Sequence, residues 1–96
     1  MVTEIAVLKV IPGKEKEFES DFKEAGKYIS AVEGYLGHNL KKCLEQPNQY
    51  LLTATWRTLE DHEIGFRQSS EYQEWKRLLH HYYDPFPVVE HYRDIC

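Results

Sequence analysis

The sequence predicts an α+β fold, a four-stranded antiparallel sheet with both helices on one face, in the order β-α-β-β-α-β. Three observations carry that prediction. Aliphatic and β-branched residues dominate positions 2–10 and 49–56, as strands require. A single apolar stripe, Phe18, Phe22, Ala25, Ile29 and Val32, recurs at spacings of four and three between them, as on an amphipathic helix. A second helical pattern follows the third strand, and prolines then open a short final strand.

The elements can be justified in order. In the first strand Ile5 and Val7 alternate with Ala6 and Leu8, so both faces are apolar and both need cover. Ile11-Pro12-Gly13 ends it, because proline lacks the N–H that a ladder needs. The helix from Lys14 keeps Glu15, Glu17, Glu19, Lys23 and Lys27 away from its stripe, with Glu19 and Lys23 an expected i,i+4 pair, and Gly34 stops it. Strands at 35–44 and 49–56 flank the turn Glu45-Gln46-Pro47-Asn48 and form a hairpin. Leu36, Leu40 and Leu44 are expected on one face of the first, and Leu52, Ala54 and Trp56 on one face of the second.

Thr58-Leu59-Glu60-Asp61 reads as a capping box opening the next helical region, and Ser70-Glu71-Tyr72-Gln73 as a second. Two pieces with a bend near residues 68–70 are therefore expected. Tyr72, Trp75, Leu78, Leu79 and Tyr82 share a broad face of the latter piece. Asp84-Pro85-Phe86-Pro87 breaks it, and 88–92 forms a last strand suited to a sheet edge. This order is the ferredoxin-like split βαβ unit. Two helices cover only one sheet face, so a second copy packing sheet against sheet is expected to cover the other.

Composition narrows the function classes. The 96 residues suffice for one domain, 1–96. With 12 Lys and Arg against 16 Asp and Glu, the net charge is −4, the wrong sign for binding a phosphate backbone. No apolar run approaches a membrane span and no export signal is recognisable, so the cytoplasm is the expected compartment. Cys43 and Cys96 are too few and too far apart for a disulfide scaffold or zinc knuckle, and read as reduced thiols.

The run Val10-Ile11-Pro12-Gly13-Lys14 into an acidic helix, then Gly34-Tyr35-Leu36-Gly37-His38, then 53–62 from Thr53 through Trp56 to His62, resembles the antibiotic biosynthesis monooxygenase (ABM) family. Phe66-Arg67-Gln68-Ser69 and Tyr72-Gln73-Glu74-Trp75 resemble the second helical region of the same superfamily. The resemblance implies a dimeric α+β barrel with a cavity between sheet and helices in each subunit. The activities it implies are cofactor-free oxygenation of aromatic polyketides and quinols, haem degradation, or isomerisation of a small sugar-like signal. Position by position, Trp56 matches the cavity tryptophan of the family's polyketide oxygenases. Leu52 stands where those enzymes have an asparagine and His62 where they have a tyrosine, while Lys76 or Arg77 matches a basic residue. The haem-degrading relatives' asparagine, tryptophan and histidine correspond to Val7 or Leu8, Phe66 and Lys76, which disfavours haem degradation.

From the residues themselves, His62 lies three after Leu59 and four before Phe66, on the inward side of its helix. It reads either as a general base for a phenol or acidic carbon, or as a packed histidine at a helix start. Trp56, Phe66, Tyr50, Leu52, Arg67 and Arg77 are the candidate substrate contacts, with Trp56 and Tyr50 equally readable as core. Arg67 reads as an oxyanion clamp or as a surface partner of Glu63 or Glu71. His38 is expected in a core or interface hydrogen bond, with Asn39 on the opposite strand face. His91 is expected toward a partner's second strand. His80 and His81 point about 100° apart on a helix, so no metal site is expected. The aromatic run 78–86 reads as a cavity lid or an interface. The expected function is a cofactor-independent monooxygenase of a hydroxylated aromatic or quinol, without metal or cofactor, or a dimeric binding protein that keeps the cavity without turnover.

Overall fold

The computed structural model describes Met1–Cys96. Its elements are β1 (Val2–Lys9), α1 (Glu15–Ile29), β2 (Tyr35–Lys42), β3 (Gln49–Trp56), a π-helical turn (Asp61–Phe66), α2 (Ser70–Leu79), a 3-10 turn (His80–Tyr82) and β4 (Val89–Tyr92). The strands lie in the order β2-β3-β1-β4, all neighbours antiparallel, so β4 is an edge strand as its prolines predict. This is the ferredoxin-like α+β fold. The shortest dimension, 19 Å, is the depth of one sheet plus one helical layer.

Strand parity sorts the sheet faces. Glu4, Ala6, Leu8 and Val10 of the first strand segment point inward, each at most 6% exposed. Tyr50, Leu52, Ala54 and Trp56 do the same on β3. Phe18, Phe22, Ala25 and Ile29 of α1 and Trp75 and Leu79 of α2 close the core over them. The outward set is thinner in apolar residues than the sequence suggests: Ile5, Val7 and Leu51, with Thr53 and Thr55 beside them. No element of the chain covers this face, and Val7 is 45% exposed.

Several local expectations are corrected. A β-bulge between Tyr35 and Gly37 takes Leu36 out of register, so it is 55% exposed and does not share a face with Leu40. β2 ends at Lys42, which leaves Leu44 beyond the sheet and 93% exposed, and Cys43 half-buried rather than inside a strand. Glu19 does not pair with Lys23. It accepts from the Tyr50 hydroxyl (2.5 Å) and from Lys42 Nζ (3.2 Å), long-range partners that fix α1 against the hairpin.

The second helical region is two pieces, the first opened by Thr58 as expected and the second capped differently. Thr58 Oγ1 accepts from the Asp61 N–H (3.1 Å), and the Asp61 carboxylate, beside the Thr58 backbone N–H as expected, also accepts from Arg57. α2 is capped by Ser69 rather than Ser70, with Ser69 Oγ accepting from the Tyr72 N–H (3.1 Å). The intervening piece is π-helical, a geometry that turns His62 and Phe66 inward together. Gly34 at the entry to β2 has φ +89°, and a Cβ there would lie 2.3 Å from the Asp61 carboxyl.

Candidate active site

A cavity of about 380 Å³ lies between the inner sheet face and the second helical region. Ala6, Leu8, Leu52, Phe66, Trp75 and Val89 form its apolar wall. Its size falls in the range of small-molecule sites, roughly 300–1,000 Å³. Arg67 and Phe86 are its exposed lining residues and mark the rim.

The polar end begins with a residue the sequence reading overlooked. Glu4 is inward-facing on β1 and 6% exposed, inside an otherwise apolar row. The Trp56 indole N–H donates to Glu4 Oε1 (3.0 Å), and His62 Nε2 lies 3.2 Å from the same oxygen. His62 Nδ1 is 2.7 Å from His91 Nε2. The register that pairs Glu4 with His91 across β1 and β4 brings the second imidazole within reach. Three elements thus converge on one line: a carboxylate from β1, an imidazole from the π-helical turn and an imidazole from β4.

Burial sets the charges. It drives the His62 imidazole down to about 3, with the Arg67 and His91 charges adding to the effect. His62 is therefore neutral at physiological pH. Burial also raises the Glu4 carboxyl, while the Trp56 N–H and the Arg67 charge hold it back. A neutral imidazole carries one N–H, and a carboxylate only accepts. When Glu4 is ionised, the tautomer that suits it carries its proton on Nε2, facing Glu4, and accepts at Nδ1 from His91 Nε2–H. His91 is itself lowered by burial, with Glu63 opposing and Arg67 assisting.

The sequence-derived candidates separate cleanly. His62, Phe66, Leu52 and Arg67 line the cavity. Trp56 does not: it is fully buried behind His62, stacked on it at 5.2 Å and 26°, and acts on the site through Glu4. Tyr50 packs on Phe18 (4.9 Å) and bonds Glu19, away from the cavity. Arg77 is on the surface, paired with Glu74 (2.9 Å), and Lys76 is exposed. Arg67 joins none of the chain's ion pairs, so neither Glu63 nor Glu71 neutralises it.

Of the remaining histidines, His38 bonds the Tyr35 hydroxyl (2.5 Å) and packs on Phe22. His91 reaches His62 of its own chain, not a partner's second strand. His80 lines the cavity while His81 is exposed, so they diverge as helix geometry requires. No three His, Cys, Asp or Glu side chains are arranged to hold a metal ion. Tyr83, Phe86 and Pro87 complete the wall, which places part of the aromatic run 78–86 over the cavity. The signal that could have found Glu4 was parity, since it is in step with Ala6, Leu8 and Val10.

Fold and site define a ferredoxin-like α+β domain with a small-molecule-sized cavity that has a buried carboxylate and imidazole at one end. The chain belongs to the antibiotic biosynthesis monooxygenase family, whose profile matches residues 1–78. It is 55% identical over 95 residues to the uncharacterized protein YczJ of Bacillus subtilis (strain 168), covering 99% of this chain and 100% of that one. A crystal structure of a candidate antibiotic biosynthesis monooxygenase from Bordetella bronchiseptica superposes with a TM-score of 0.94 at 33% identity, over 99% and 97% of the two chains. SnoaB, a cofactor-independent oxygenase from Streptomyces nogalater, shares the fold at a TM-score of 0.74 and 21% identity, over 99% and 93%. No helix of the chain is long and apolar enough to cross a membrane.

Proposed function

We propose that this chain is a cofactor-independent monooxygenase of a small hydroxylated aromatic or quinol. The observation that carries the reading is the buried Glu4–His62 pair at the end of an apolar cavity of about 380 Å³. An acid–base pair in that position removes a proton from a phenol or an activated C–H, leaving an electron-rich anion that reduces O2 directly. The reaction balances without an added reductant when the substrate supplies both hydrogens and both electrons: CH2 plus O2 gives C=O plus H2O. The protein contributes deprotonation, orientation and an apolar surround. Arg67, unpaired at the rim, suits the anion.

Two copies are proposed to associate through the outward sheet face at Ile5, Val7 and Leu51, which no element of one chain covers. A second reading, a binding protein without turnover, is favoured by one observation: Leu52 puts an apolar side chain in the cavity wall. Oxygen uptake separates the two. With a panel of hydroquinones and naphthols, the oxygenase reading expects uptake by the wild type and a loss of roughly 100-fold or more in His62→Ala. No uptake with any compound that binds would favour the second reading.

A further inference from the structure

Both ring nitrogens of His62 lie close to protein groups. Nε2 faces Glu4 Oε1 at 3.2 Å, Nδ1 faces His91 Nε2 at 2.7 Å, and the ring is 2% exposed under the stacked indole of Trp56. Glu4 is different. Both of its contacts, the Trp56 N–H and His62 Nε2, fall on Oε1. No buried side-chain oxygen or nitrogen in the chain is without a partner, and Oε2 has none, so Oε2 is the oxygen open to the cavity.

We propose that Glu4, through Oε2, takes the substrate's proton, and that His62 and His91 are positioning residues that hold its other oxygen. This deepens the monooxygenase reading and rests on it for the substrate class. In the step, an O–H or activated C–H bond of the substrate breaks and its electron pair stays on the substrate. The proton forms the new O–H bond on Oε2, so one negative charge passes from Glu4 to the substrate and the site's net charge is unchanged. The charge arrives near Arg67. Behind Glu4 the groups are ordered: His91 Nε2 bonds His62 Nδ1 (2.7 Å), and His62 Nε2 lies 3.2 Å from Oε1. That order keeps an N–H aimed at the carboxylate and favours its anionic, proton-accepting form. The groups facing Glu4 are Trp56 from β3, His62 and Arg67 from the π-helical turn and its end, His91 from β4, and Tyr83 from beyond the 3-10 turn. Glu63 acts on His91.

The test separates proton removal from oxygenation. Under anaerobic conditions in D2O, 1,3-dihydroxynaphthalene exchanges its activated ring hydrogens through its anion, and mass spectrometry reads the rate. The wild type is expected to accelerate exchange. Glu4→Gln, which still accepts from Trp56, is expected to lower the acceleration by roughly 100-fold or more. Glu4→Asp, shorter but still a carboxylate, retains part of it. His91→Leu should move the acidic limb of the pH profile to higher pH, because Glu4 loses its oriented N–H and binds its proton more tightly. His91→Gln, which restores an N–H, should move the limb back. Exchange by Glu4→Gln at the wild-type rate, an unmoved limb in His91→Leu, or no acceleration by the wild type would each overturn the assignment. Exchange without oxygen uptake in air would leave it standing and sink the monooxygenase reading instead.

Discussion

At the scale of single residues, the site is governed by what burial does to charge. His62 in the folded chain titrates at about 3, against an ordinary value of 6.5. Between those values the unfolded chain holds a proton that the folded chain does not, so stability falls as pH drops through that window. Each tenfold weakening of proton binding is worth about 1.4 kcal/mol, so the effect amounts to several kcal/mol at full development. Urea unfolding at pH 7, 5 and 4 should show a steep loss for the wild type and a flatter one for His62→Gln. Equal slopes would mean that His62 is not the group responsible. His62 was legible in the sequence because its inward position follows from helical spacing to Leu59 and Phe66. Glu4 was hidden, since one acidic residue in a strand apolar on both faces looks like a solvent-facing position until its parity with Ala6 and Leu8 is counted.

At the scale of elements, the connection from α1 into β2 and the π-helical turn are built as one unit. Gly34 passes beneath Asp61, whose carboxylate holds Arg57, and the Arg57 N–H donates to Gly34 O (2.8 Å). A side chain at Gly34 meets both a left-handed backbone and an occupied space. Gly34→Ala should destabilise by roughly 2 kcal/mol, of which about 1–2 kcal/mol is backbone strain. Thermal unfolding checks this, and an unchanged midpoint would refute it. The strands and both helices were readable because their signals are periodic and local. The bulge at Leu36, the cap at Ser69 and the π geometry were not, because each is settled by partners distant in sequence or by a one-residue choice that periodicity does not resolve.

At the scale of the whole molecule, one sheet face is unclothed. Its apolar centre is Ile5, Val7 and Leu51, and a chain of this size gains from burying it against a copy of itself. Val7→Glu places a charge in the middle of that face without entering the inner core. Sedimentation should then show a dimer for the wild type and a monomer, still folded, for the variant. A wild-type monomer at micromolar concentration would end the dimer proposal. The existence of a cavity was implied by family resemblance, but its lining depended on where residues 80–91 return to the sheet, which no local pattern encodes.

The family match stops at residue 78, whereas His80, Tyr83, Phe86 and Pro87, which line the pocket, and His91, which bonds His62, all come later. Part of the cavity wall is thus carried by a C-terminal stretch that is tied to the body by β4 along β1, by the Val10–Tyr83 bridge, by the Asp84 N–H donating to Lys9 O (2.8 Å) and by the Tyr82 hydroxyl donating to Asp21 (2.6 Å). Grafting the tail of one relative onto the body of another is thus a natural route to altered selectivity, provided the graft keeps a histidine where β4 crosses Glu4.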